Sequence, residues 1–90
     1  MTAVSREVRI TNRRGLHARA SAKFVNLASE IDSKIEVEKD ASRVCGTSIM
    51  GLMMLGAAMG DSIVIHVEGL GAEQALQRLV ELVENRFGEE

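Results

Sequence analysis

The chain has 90 residues, 46% hydrophobic and 27% charged, with 11 basic and 13 acidic side chains and a net charge of −2. That length makes one small domain spanning residues 1–90, without Trp, Tyr or Pro and with only two Phe, so the core must be aliphatic. A lone cysteine, Cys45, excludes an internal disulfide, no apolar stretch reaches the roughly 20 residues that span a bilayer, and the lack of a signal-peptide pattern points to a reducing cytoplasm.

The first segment alternates. Val4, Val8 and Ile10 are apolar between Ser5, Glu7, Arg9 and Thr11, which predicts a half-buried strand with Arg6 as its one exception. Asn12 to Gly15 reads as a turn, after which Ala20, Phe24, Leu27, Ala28 and Ile31 recur at helical spacing and predict an amphipathic helix. Lys34 to Lys39 alternates again, and a shorter strand through Val44 follows the Asp40-Ala41 turn, which predicts a hairpin. Ser48 stands before IMGLMMLG; periodicity leaves strand or helix open there, while composition and a serine suited to an N-cap favour helix. Beyond the Gly60-Asp61 turn, Ile63, Ile65 and Val67 line one face of another strand, and Gly69 to Gly71 ends it. The last segment carries one continuous helical stripe from Ala72 through Val83 to Phe87. This βαββαβα order predicts an α+β fold: an open-faced β-sandwich with a four-stranded antiparallel sheet and three helices on one face.

Charge is distributed unevenly. No acidic residue occurs between Val8 and Ser29, a window that holds Arg9, Arg13, Arg14, Arg19 and Lys23. A cationic patch on an acidic chain calls for an anionic ligand or partner surface. Inside it, GLHARAS sets His17 at a helix start, where free N–H groups and the positive dipole end favour an anion. That field disfavours imidazolium and leaves a neutral nucleophilic nitrogen. If His17 attacks a phosphoryl group, the new negative charge arises where the amides point, and the planar fork of Arg19 suits phosphate oxygens. No carboxylate is expected nearby to oppose it, and Gly15 has the backbone freedom to fold the loop over the site.

GLHARASAKFV, SIMGLMMLGAAMGDSIVIHVEG and AEQALQRLVELVENRF, taken in order, resemble the HPr family of histidine-containing phosphocarriers of the bacterial phosphotransferase system. The resemblance covers nearly the whole chain. It implies that His17 is phosphorylated on Nδ1 by enzyme I and read by an EIIA-type domain, with Arg19 as the active-site arginine. It also implies that Ser48 is the regulatory site of an HPr kinase/phosphorylase in lineages that possess one; the roughly −1.5 to −2 charges of a phosphate there, beside the partner-binding surface, are expected to slow transfer to His17. By the same resemblance Ala22, Lys23, Ile49, Met50 and Met53 belong to the partner-docking surface, and the carrier is a monomer without cofactor or metal. One departure stands inside the motif: the family's GLHARPA has proline where this chain has Ala20.

Other residues attract simpler readings. His66 belongs to the solvent side of a strand, Cys45 lacks a partner for redox chemistry, and Gly69-Leu70-Gly71 is a loop. A regulatory module of the nitrogen-related branch of the same system is the rival function. A nucleic-acid binder is disfavoured by the lack of stacking aromatics and by the negative charge.

Overall fold

In the computed structural model, which describes residues 2–89, the chain forms β1 (Ala3–Arg9), α1 (Ala18–Ser29), β2 (Lys34–Lys39) and β3 (Ser42–Cys45). It continues through α2 (Ile49–Met54), β4 (Ser62–Glu68) and α3 (Ala72–Glu84) to a 3-10 turn at Arg86–Gly88. The strands make one sheet in the order β1-β4-β2-β3. Every neighbouring pair is antiparallel, as the alternating segments predict.

Register follows the period of two. Val8 pairs with Ile63, Ile35 with Val67, and Val37 with both Ile65 and Val44, so one face of the sheet is aliphatic. Slipping any strand by one residue would turn that row toward water. The helices cover this face, with α3 packed on β1 and β4 and α1 packed against α2 and α3. Phe24, Ile65, Leu79, Val80 and Phe87 are among the completely enclosed side chains, each contributing roughly 1.5–3 kcal/mol relative to exposure. The opposite face carries Glu36, Glu38, Val64 and His66, all only partly covered.

Arg6, the expected exception, occupies the helix side of β1, and its guanidinium reaches out to Gln77 Oε1 on α3 at 3.4 Å and stays exposed. Two local expectations are corrected. The first helix ends at Ser29, so Ile31 meets the core from beyond the helix. The last stripe is not one helix. α3 stops at Glu84, and Arg86 and Phe87 adopt left-handed φ values of 57° and 54°. Phe87 still reaches the core, at 1% exposure, but the reversal sends Gly88 and Glu89 back toward the start of α1.

Candidate functional site

The loop between β1 and α1 is built from backbone contacts. Gly15 adopts φ 65°, its N–H donates to the Asn12 carbonyl at 3.2 Å, and the next residue, Leu16, donates to the Ala57 carbonyl at 2.9 Å. Ser21 Oγ donates to the Leu16 carbonyl from inside α1 at 3.2 Å. His17 is therefore held from both sides. Its backbone is extended (φ −74°, ψ −179°), and it serves as the N-cap of α1 with Nδ1 accepting the Arg19 N–H at 3.3 Å. The first turn of α1 contains no acidic residue. An imidazole thus occupies the capping position usually taken by Ser, Thr or Asp, and its δ-nitrogen points its lone pair toward the helix amides.

The expectation that no carboxylate stands near His17 is overturned. Glu89 Oε2 lies 2.5 Å from His17 Nε2, brought there by the chain reversal at Arg86 and Phe87. Both side chains are largely covered, at 14% and 18% exposure. Glu89 Oε1 accepts from Asn12 Nδ2 at 3.1 Å, and the same amide donates to the Gly15 carbonyl at 2.8 Å. Lys23 Nζ donates to the Phe87 carbonyl at 2.7 Å and secures the segment. Burial opposes ionisation of Glu89, but the hydrogen bonds from Asn12 and His17, with the charges of His17 and Lys23, hold its carboxyl below the ordinary value. Arg13, Arg14 and Arg19 line an open hollow beside Glu89. The acid-free window is real along the chain and is closed in space by a residue 72 positions away.

Asn12 and Glu89 carry no site signal in the sequence. Asn12 reads as a turn residue, yet it is fully buried. Glu89 lies past the last recognisable stripe, and nothing local to it marks a return.

Ser48 caps α2 as expected, with Oγ accepting the Gly51 N–H at 3.0 Å. Gly51 matters to that geometry: a Cβ there would meet Ser48 Oγ and Val44 Cβ, each at 3.1 Å. Leu52 buries the inner side of α2, while Ile49, Met50 and Met53 are 40%, 67% and 41% exposed. Met54 is exposed as well. Ala22 and Lys23, on α1, are half-buried. α1 packs on α2, so Arg19, Ala22 and Lys23 of the first and the exposed apolar side chains of the second are carried by adjoining helices.

A family model described as the PTS HPr component phosphorylation site matches residues 4–85. The phosphocarrier protein HPr of Neisseria meningitidis is 45% identical over 86 residues, covering 96% of this chain and 97% of that protein. The chain belongs to the HPr family of phosphotransferase-system phosphocarriers. The phosphocarrier protein NPr of Shewanella violacea is 39% identical, covering 99% of this chain and 98% of its own length. The crystal structure of HPr-C-His from Thermoanaerobacter tengcongensis superposes with a TM-score of 0.89 at 46% identity, covering 100% of this chain and 99% of that one.

One feature of this chain departs from the family's motif. Ala20, at the position of the family's proline, is completely buried and continues α1 without a break. Elsewhere, His66 Nε2 pairs with Glu38 Oε1 at 2.8 Å on the open sheet face. Cys45, also exposed, is held below the ordinary thiol value by hydrogen bonds from the Thr47 side chain and backbone, against burial and the Glu36 charge. Among the described residues no group of three His, Cys, Asp or Glu is placed to hold a metal, and no helix is long and apolar enough to cross a membrane.

Proposed function

We propose that His17 is the phosphoacceptor of this phosphocarrier, charged on Nδ1 by phosphorylated enzyme I and discharged onto an EIIA-type domain, with no turnover of its own. The observation that carries the reading is the state of Nδ1. It accepts the Arg19 N–H at 3.3 Å, so its lone pair is free of a proton. Nδ1 attacks phosphorus in line, an N–P bond forms as the donor's P–N bond breaks, and the released electron pair returns to the donor nitrogen. The α1 amides and the exposed Arg19 then meet the phosphoryl oxygens, the region where negative charge is favoured. Position and charge do most of the work.

Partner docking belongs to the surface formed by α1 and α2. Ile49, Met50 and Met53 offer apolar contact, of the kind that marks interaction sites. Ala22 and Lys23 lie on α1, and Arg19 adds charge for an acidic partner. Ser48 is the proposed regulatory phosphorylation site for an HPr kinase/phosphorylase: a phosphate there adds about −1.5 to −2 charges beside this surface and slows transfer to His17. The carrier acts as a cytoplasmic monomer. A second reading, a regulatory module of the nitrogen-related branch, is favoured by the likeness to an NPr across 99% of the chain.

Incubation with enzyme I and phosphoenolpyruvate, followed by mass spectrometry, tests the central assignment. Phosphate is expected on His17, and an unmodified His17 would overturn it.

A further inference from the structure

We propose that Glu89 is a positioning residue that fixes the tautomer of His17, holding the proton on Nε2 so that Nδ1 remains the nucleophile. The inference rests on His17 being the phosphoacceptor. Its ground is the chain of contacts from Asn12 through Glu89 to the ring.

Each atom in that chain has one role. The Asn12 amide nitrogen faces two acceptors, the Gly15 carbonyl at 2.8 Å and Glu89 Oε1 at 3.1 Å. Turning the amide over would set Oδ1 against both oxygens, so its orientation is determined although Oδ1 itself has no hydrogen-bond partner among the described residues. With Oε1 engaged by Asn12, Oε2 is left for His17 Nε2 at 2.5 Å. An ionised carboxylate only accepts, so Nε2 must carry the proton. At the other nitrogen, the Arg19 N–H donates to Nδ1. Both neighbours therefore select the same tautomer.

The carboxylate has a second consequence during transfer. When an Nε2–H imidazole forms an N–P bond through Nδ1, the ring becomes a phosphoimidazolium carrying one positive charge. Glu89 meets that charge at Nε2, the role a buried carboxylate plays beside a catalytic histidine in serine proteases. It acts through the ring and touches no phosphoryl oxygen.

Glu89→Gln separates this account from simple packing. Asn12 is completely buried and keeps its N–H pointed at position 89, so the new side chain must turn its carbonyl oxygen toward Asn12. Its NH2 then faces His17 Nε2 and donates to it. The ring proton is forced onto Nδ1, against the Arg19 N–H. Two conflicts compete, and burial decides between them. The Arg19 N–H lies at an exposed helix end and can turn to water, whereas the Asn12 amide cannot. Glu89→Ala leaves the ring without a partner at Nε2, so the Arg19 N–H still selects a bare Nδ1. The near-isosteric variant is thus the more damaging one.

The test is long-range 1H–15N NMR of His17 at about pH 8.5, roughly two units above the ordinary histidine value, with phosphorylation rates measured in parallel. Wild type and Glu89→Ala are expected as Nε2–H, and Glu89→Gln as Nδ1–H. Glu89→Gln is expected to accept phosphate about tenfold or more slowly than wild type, with Glu89→Ala between them. An Nε2–H ring in Glu89→Gln, or transfer by that variant as fast as by Glu89→Ala, would overturn the proposal. The NMR result does not depend on phosphotransfer. Phosphate found elsewhere than on His17 in the wild type would instead overturn the phosphoacceptor assignment on which the proposal rests.

Discussion

Two glycines share one backbone angle and differ in what surrounds them. Gly15 and Gly56 both have φ 65°, a left-handed conformation that costs an L-residue roughly 1–2 kcal/mol. Around Gly56, apart from its two chain neighbours, no atom of the described residues lies within 4 Å of an added Cβ. At Gly15 the Cβ would collide with the Ala57 carbonyl oxygen and approach Ala58 Cα to 2.9 Å. Those neighbours are backbone and cannot swing aside. The α2–β4 loop is also pinned to the end of β1, with Ile10 donating to the Asp61 carbonyl and Gly60 donating to the Ile10 carbonyl, both at 2.8 Å. Gly15→Ala must therefore displace the His17 loop and stretch the Leu16 N–H bond to Ala57. Leaving that buried N–H without its acceptor costs about 1–3 kcal/mol. Both alanines recover roughly 0.4–1 kcal/mol by stiffening the unfolded chain. Gly56→Ala is thus expected to cost about 1 kcal/mol and Gly15→Ala about 3 kcal/mol. Urea denaturation followed by circular dichroism measures the difference, and the phosphorylation rate of Gly15→Ala should fall with the displaced loop. Equal losses for the two variants would show that the Ala57 carbonyl does not constrain the loop.

Phe87→Ala removes a completely buried ring and should cost about 3–5 kcal/mol in the same assay; it also releases Glu89, so its His17 tautomer should match that of Glu89→Ala. Ser48→Ala loses the cap on the Gly51 N–H and should cost about 0.5–2 kcal/mol, while Ser48→Asp keeps an acceptor there and should slow transfer. Because the folded Glu89 carboxyl titrates below its ordinary value of 4.5, its contribution is complete above that value and is lost as pH falls through the folded value. Thermal melts of wild type and Glu89→Gln should accordingly differ at neutral pH and converge in acid; a gap that widens in acid would reverse the sign of the linkage.

The sheet was legible because its signals are local. Ile35 with Val37, and Ile63 with Ile65 and Val67, each announce a face within a few residues. The start of α1 was legible for the same reason, since GLHARAS carries the glycine, the capping histidine and the arginine together. What the pattern could not carry is the end of α3. Phe87 falls at helical spacing after Val83, and its burial agrees with that spacing, so hydrophobicity alone favours continuing the helix. The chain instead reverses through three successive left-handed residues, Arg86, Phe87 and Gly88, of which only the last is a glycine. The reversal trades helix propensity for a way to bury Phe87 while bonding its carbonyl to Lys23. Such a trade depends on α1 being already in place and has no signature in the segment that makes it.

That reversal changes what the basic window does. Without it, His17 would face only the field of α1, which disfavours a positive charge on the ring and welcomes negative charge on the phosphoryl group. With it, the two ring nitrogens meet opposite environments: helix amides at Nδ1 and a carboxylate at Nε2. Transfer to an Nε2–H imidazole creates both charges at once, negative on the phosphoryl oxygens and positive on the ring. A site that favoured only the anion would leave the ring cation opposed, and one that favoured only the cation would hold the proton on a resting ring whose lone pair is needed. Separating the two by the width of an imidazole lets each charge meet its own counterpart. An acid-free stretch along the sequence and an acid beside the histidine in space are therefore compatible requirements, because they act on different nitrogens.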